Sequence, residues 1–215
     1  MKKKGKIVLI GAGGHAKVLI NLILTAGIYQ IAGCTDKDLQ KKFNTILGVR
    51  IIGDDSLLGR LFSDGVEYAA IAVGGIGDNH LREKLYERTK KLGFKFPVLK
   101  HPLSIVSMNV SLGEGIQLLP GSIIHPASQI GFNTVVNTNA LIEHDCIVGD
   151  HCSLAPGCAL MGGVKIGKYT HVGAEAVINE GITVGDDVMI GAGAVVIRDV
   201  PSRSKVVGVP ARPIN

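Results

Sequence analysis

Between Asn139 and Gly157 the chain reads NALIEHDCIVGDHCSLAPG, and three titratable groups stand side by side in it: Glu143, His144 and Asp145. A histidine next to carboxylates can serve as a general base. A carboxylate on one ring nitrogen fixes the tautomer and makes the other nitrogen more basic. His151 follows seven residues later and His171 twenty after that. Three converging imidazoles could hold zinc, but these intervals do not bring them into register, and no metal is expected. Cys146, Cys152 and Cys158 are spaced by six like a metal motif. They fall on an apolar series of the same spacing and read as small core residues.

A second chemistry lies near the start. IGAGGHA, residues 10–16, carries the pattern G-x-G-x-x-A between an apolar run and a helical stretch. Such a loop offers backbone N–H groups and a helix N-terminus to a diphosphate. Asp36 comes at the end of the next apolar run, where an acid can bind a ribose hydroxyl.

Two kinds of element must position these groups. The first half alternates strand and helix signals. KIVLIG reads as a buried parallel strand, GHAKVLINLILTAG as a helix stopping at Gly27, and IAGCTD and VEYAAIAVGG as further strands. DNHLREKLYERTKKLG reads as a charged amphipathic helix capped by Asp78 and stopped at Gly93. This grammar predicts a small α/β domain with a parallel sheet over residues 1–103.

The second half, 104–215, repeats every six residues. From Leu112 to Val196, fifteen consecutive positions spaced by six are Leu, Ile or Val. The series two residues earlier, from Val110 to Ala194, is small or aliphatic throughout. Hexapeptide repeats of this kind predict a parallel β-helix. Gly113, Gly131, Gly149, Gly167 and Gly185 recur every 18 residues, so three hexads make one triangular coil. Glycine in that column is expected to serve a turn with positive φ. Residues 18 apart should stack. His144 then faces Gly162, with Gly163 beside it, and that bare backbone leaves room for a reacting group and N–H donors for an oxyanion. His171 shares a column with Ser153, and His151 with Asn133 and Tyr169.

Net charge is +5 and uneven. Residues 1–104 hold 17 Lys+Arg against 9 Asp+Glu, and residues 105–215 hold 6 against 9. The basic half suits a phosphate-bearing ligand. Nucleic acid is not expected, because the basic residues form no long run and have few aromatic neighbours. His15 and Lys17 interrupt the first apolar stretch too early for a signal or membrane span, so a cytoplasmic protein is expected.

The hexapeptide run, IEHDC, the ending IGAGAVVIRDVPSRSKVVGVPARPI and the opening LIGAGGHAKV together resemble the left-handed β-helix sugar O- and N-acetyltransferases. That family includes the sialic-acid O-acetyltransferases and the bacillosamine-type N-acetyltransferases, and the resemblance spans nearly the whole chain. It implies a small α/β domain that binds a nucleotide-linked sugar, a β-helix that trimerises, and acetyl-CoA in the groove between neighbouring β-helices. His144 matches the family's base, and Asp145 the acid that raises its basicity. Gly13, Gly14, His15, Asp36, Lys37 and Gly74 match its sugar-nucleotide positions. Ala174, Ala192 and the backbone near Gly162 match its acetyl-CoA contacts. Many members carry a second histidine nine residues after the base. Here that position is Ser153, and either its hydroxyl or His171 would take the contact. The expectation is acetyl transfer from acetyl-CoA to the amine of a nucleotide-linked 4-amino-6-deoxysugar, by a homotrimer, without metal, nucleic acid or membrane. A sialic-acid hydroxyl as acceptor is the alternative, and a zinc hydratase of the γ-carbonic-anhydrase type a more distant one.

Overall fold

The computed structural model describes residues 4–75 and 79–214, so the expected cap Asp78 lies outside the described residues. The chain divides into two units: Met1–Gly74 with Leu81–His101, and Gly75–His80 with Pro102–Asn215.

The first unit is built on strand β1 (Gly5–Ile10), helix α1 (Gly14–Ala26) and strand β2 (Tyr29–Thr35). Strands β3 (Thr45–Ile46) and β4 (Val49–Gly53), helix α2 (Leu58–Ser63), strand β5 (Tyr68–Ile71) and helix α3 (Asn79–Lys91) follow. The sheet order is β3-β4-β2-β1-β5. The β1–β2, β1–β5 and β2–β4 pairs are parallel. Ile7 to Ile10 are fully buried, as a continuous apolar run in a central parallel strand must be. Helix α1 buries Ala16, Leu19, Ile20, Leu22 and Ile23 along one stripe and ends at left-handed Gly27.

Two features differ from the sequence reading. Strands β3 and β4 form an antiparallel hairpin whose turn, Leu47 and Gly48, has positive φ at both residues (47° and 78°). A leucine in the first turn position masks that hairpin signal. Arg82 lies on the helix that reads as charged and amphipathic, and despite its charge it is fully buried. Its Nη1 donates to the Val73 carbonyl at 2.5 Å and the Ile71 carbonyl at 3.4 Å, satisfying the end of β5. Burial pulls its pKa down to about 10, which still leaves it protonated at neutral pH.

The second unit is a parallel β-helix of two-residue strands, with partners 18 residues apart on three faces. The first face runs Ile123, Leu141, Ala159, Val177, Val195. The second runs Gln129, Ile147, Lys165, Thr183. The third runs Val135, Ser153, His171, Met189. Each side chain of the apolar series points inward, so Ile124, Ile142, Leu154, Leu160 and Val172 are fully buried. Cys146, Cys152 and Cys158 are buried free thiols. Burial pushes them up to about 11, 12 and 12, so they are inert. The stack closes with an antiparallel strand pair, Lys205–Val207 and Arg212–Ile214.

The turns hold a correction. The 18-residue glycine column does not have positive φ. A Cβ at Gly131, Gly149 or Gly167 would instead sit 2.5–2.8 Å from the backbone nitrogen of the next coil. Those glycines allow close stacking of coils at that edge. Positive φ falls two residues later and recurs every sixth residue through Asn133, Asn139, Asp145, His151, Gly157, Gly163 and Tyr169. Each two-residue turn thus requires a left-handed residue in its second position.

Candidate active site

His144 and Asp145 are the two residues of the corner between the first and second faces. Asp145 takes the left-handed position (φ 59°), which an Asp tolerates better than most residues. That conformation brings its Oδ2 to 2.8 Å from His144 Nδ1. A carboxylate can only accept, so Nδ1 carries the proton and the Nε2 lone pair is left outward. The hydrogen bond to Asp145 raises the His144 pKa above its ordinary value, with Glu143 and Glu180 adding to it. The imidazole edge borders Gly162, where an added Cβ would lie 2.9 Å from Nε2. The Gly163 N–H is engaged on the His144 carbonyl at 2.9 Å and fixes the corner. The arrangement is a side chain with a basic nitrogen open to solvent, beside bare backbone. Glu143 Oε2 accepts from the His144 backbone N–H at 3.4 Å, and its Oε1 lies 3.7 Å from His125 Nε2.

Ser153 and His171 are adjacent on the third face. Ser153 is nearly buried against Gly75. His171 Nδ1 is buried without a hydrogen-bond partner among the described residues, and burial lowers its pKa. Nearby, Asn79 is 3% exposed; its Nδ2 donates to the Tyr169 carbonyl at 2.9 Å, while its Oδ1 has no partner among the described residues. Ala174 and Ala192 are stacked at the corner between the third and first faces. In a triangular coil the third face lies opposite the His144 corner. One chain therefore brings Gly162 to His144, but not Ser153, His171, Ala174 or Ala192. His144, His151 and His171 do not converge either. Among the described residues no group of three His, Cys, Asp or Glu is placed to hold a metal ion.

The first unit has a cavity of about 350 Å³ at the C-terminal ends of its strands, lined by Gly13, Gly14, His15, Asp36, Lys37 and Gly74. No side chain caps the first turn of α1 and no acidic residue stands there, so its N–H dipoles face the cavity uncompensated. A Cβ at Gly13, Gly14 or Gly74 would meet nothing within 4 Å, which leaves that backbone open to close approach. Asp36 accepts from the Asp38 N–H at 2.9 Å and from Lys41 Nζ at 3.2 Å. Partial burial pushes its carboxyl up, but these hydrogen bonds outweigh it and the pKa is lowered. Lys41 and Asp55 also line the cavity. They had no sequence signal, because each is delivered by a single 3-10 turn.

Two family models match the chain: the PglD N-terminal domain over residues 6–89, and the six-repeat bacterial transferase hexapeptide over 127–162 and 163–198. Among solved structures, PerB from Caulobacter crescentus, in complex with CoA and GDP-perosamine, is 39% identical. It matches with a TM-score of 0.92 over 98% of each chain. The acetyltransferase domain of PglB from Neisseria gonorrhoeae, in complex with acetyl coenzyme A, is 33% identical. Its TM-score is 0.91, covering 99% of this chain and 100% of that one. WeeI from Acinetobacter baumannii, 25% identical, matches with a TM-score of 0.87 over 98% of this chain and 100% of that one.

Proposed function

The chain belongs to the left-handed β-helix, hexapeptide-repeat sugar acetyltransferases, and we propose from that premise that it transfers acetyl from acetyl-CoA to the amine of a nucleotide-linked 4-amino-6-deoxysugar. The observation that carries the chemistry is the 2.8 Å hydrogen bond from His144 Nδ1 to Asp145 beside bare Gly162. The sugar amine attacks the thioester carbonyl carbon as His144 Nε2 takes its proton. The Gly162 N–H is the donor left for the tetrahedral oxyanion, since the Met161 and Gly163 N–H groups are held by the Ile178 and His144 carbonyls. The C–S bond then breaks, the proton passes to the thiolate, and amide and CoA thiol are the products. Gly13, Gly14 and His15 receive the diphosphate at the start of α1. Asp36, Lys37 and Gly74 hold the nucleoside. The ligands held by PerB, GDP-perosamine with CoA, favour an amine acceptor over a hydroxyl.

Ser153, His171, Ala174 and Ala192 lie away from the His144 corner of their own chain. We read this as a site shared between neighbours in a homotrimer, with acetyl-CoA lying between His144 of one β-helix and the third face of the next. Four free cysteines suit a reducing compartment, and we place the reaction in the cytoplasm, where the acetyl donor is made. No helix among the described residues is long and apolar enough to cross a membrane.

The test is CoA-thiol release from acetyl-CoA with UDP- and GDP-linked 4-amino-6-deoxysugars, sialic acid, or no acceptor. Release with an amino sugar alone is the expected result. Release only with sialic acid would move the chain to O-acetylation.

A further inference from the structure

The corner that carries His144 repeats from coil to coil. The Gly163 N–H donates to the His144 carbonyl and the Gly181 N–H to the Gly162 carbonyl, each at 2.9 Å. His144, Gly162 and Glu180 are therefore the first turn residues of three successive coils. The His144 ring leans along this column: a Cβ added at Gly162 would lie 2.8 Å from its Cε1 and 2.9 Å from its Nε2. The imidazole thus takes the place of the missing side chain. The next side chain beyond it is that of exposed Glu180, one strand spacing of about 4.8 Å past Gly162. The neighbouring turn positions are bare as well. A Cβ at Gly181 would meet nothing within 4 Å, and one at Gly163 only the Gly181 Cα, at 4.0 Å. These glycines floor a slot with His144 at one end and Glu180 at the other.

Three carboxylates stand near the imidazole, and two of them are engaged. Asp145 holds Nδ1, while Glu143 accepts from the His144 backbone N–H and faces His125. Among the described residues the Glu180 carboxylate has neither a hydrogen bond nor an ion pair. Its charge nonetheless reaches His144, adding to the rise in pKa that the Asp145 hydrogen bond dominates.

A carboxylate one coil past a general base draws a cation toward the base's free nitrogen. An amine flanked by electron-withdrawing groups titrates like an α-amino group, at about 8, so at neutral pH it arrives mostly as an ammonium. A hydroxyl brings no charge and gains only a neutral hydrogen bond.

We propose that Glu180 is a specificity-determining residue, which draws the acceptor's ammonium group into the slot and holds one of its N–H bonds while the nitrogen faces His144 Nε2. The inference rests on the amine-transfer reading of the His144 corner. Glu180 itself takes up no proton. The ammonium releases one proton to water before attack, and the amine so formed keeps its hydrogen bond to Glu180 as its lone pair turns to the thioester carbon.

The experiment uses the full chain, saturating acetyl-CoA, and whichever UDP- or GDP-linked 4-amino-6-deoxysugar the wild type acetylates faster. The same sugar nucleotide with a 4-hydroxyl serves as competitive inhibitor. Glu180→Gln should raise the KM for the amino sugar about fivefold, the upper worth of a water-exposed ion pair, with kcat changing less. Its KM for acetyl-CoA, its inhibition constant for the hydroxyl analogue and its thermal midpoint should stay at wild-type values. Glu180→Lys should raise the amino-sugar KM further, and Glu180→Asp should recover part of the loss. Added salt should raise the ratio of amino-sugar KM to analogue inhibition constant in the wild type and leave it flat in Glu180→Gln. An unchanged amino-sugar KM in both Glu180→Gln and Glu180→Lys would overturn the proposal while leaving the transfer reading in place. Equal weakening of the amino sugar and the hydroxyl analogue would overturn it too, by making Glu180 a structural residue. A wild type that acetylates no amino sugar would overturn both readings.

Discussion

At the corner between the first and second faces His144 takes the first position of its turn; at the next corner, seven residues on, His151 takes the second. The offset separates the two imidazoles completely. His144 projects outward, its side chain 58% exposed, with one nitrogen held by Asp145. His151 is left-handed (φ 57°) and 6% exposed. Its Nδ1 lies 3.1 Å from Asn133 Nδ2 and its ring stacks on Tyr169 at 5.6 Å and 7°. At the first of these corners the first position directs His144 away from the prism. At the next the second position lays His151 along the corner against the coils above and below. In this fold a histidine's role follows from its place within six residues, and residue type alone is a poor guide.

Exchanging the two roles is the way to break that comparison. His144→Ala should lower kcat by about 10²–10⁴-fold, the usual worth of a general base, with an unchanged thermal midpoint. A smaller effect is expected from Asp145→Asn, a loss in kcat of about tenfold, because the neutral amide supports the imidazolium less well. The pH profile sharpens this test. A base must be deprotonated, so activity rises with pH through the His144 pKa, which the Asp145 hydrogen bond raises. In Asp145→Asn the acidic limb of kcat against pH should move to lower pH; a limb that stays in place would assign it to another group. His151→Ala should have the least effect on rate. It should keep wild-type kcat and lose about 2 kcal/mol of stability, a shift of several degrees in the thermal midpoint. A fall in kcat without a change in midpoint would give His151 a chemical role and erase the contrast.

The period of 18 makes part of this legible in the amino-acid sequence itself. Gly162 against His144, His171 beside Ser153, and His151 between Asn133 and Tyr169 all follow from counting, because a coil of fixed length carries no ambiguity of register. The reason for the glycine column does not follow. Counting gives neighbours, while the distance between backbones and the sign of φ are properties of the turn. The Lys41 contact to Asp36 and the burial of Arg82 are also hidden, because charged residues usually face solvent. Arg82 is inside to satisfy two carbonyls at the end of β5, and a one-dimensional pattern does not show which carbonyls need a donor. That Ser153 and His171 lie across the prism from His144, with Ala174 and Ala192 at another corner, emerges only once the three faces are assigned.

The antiparallel pair that closes the stack has a consequence for solubility. A β-helix of parallel coils ends in a row of unpaired N–H and C=O groups, a template onto which another molecule could add its own strands. Here the last strand, Arg212–Ile214, reverses direction against Lys205–Val207. It presents an outer edge with Pro213, which has no N–H to donate, and the charge of Arg212 beside it. An incoming strand would meet a missing donor, an exposed cation and the wrong polarity. The pair thereby blunts strand addition at this edge of the third face.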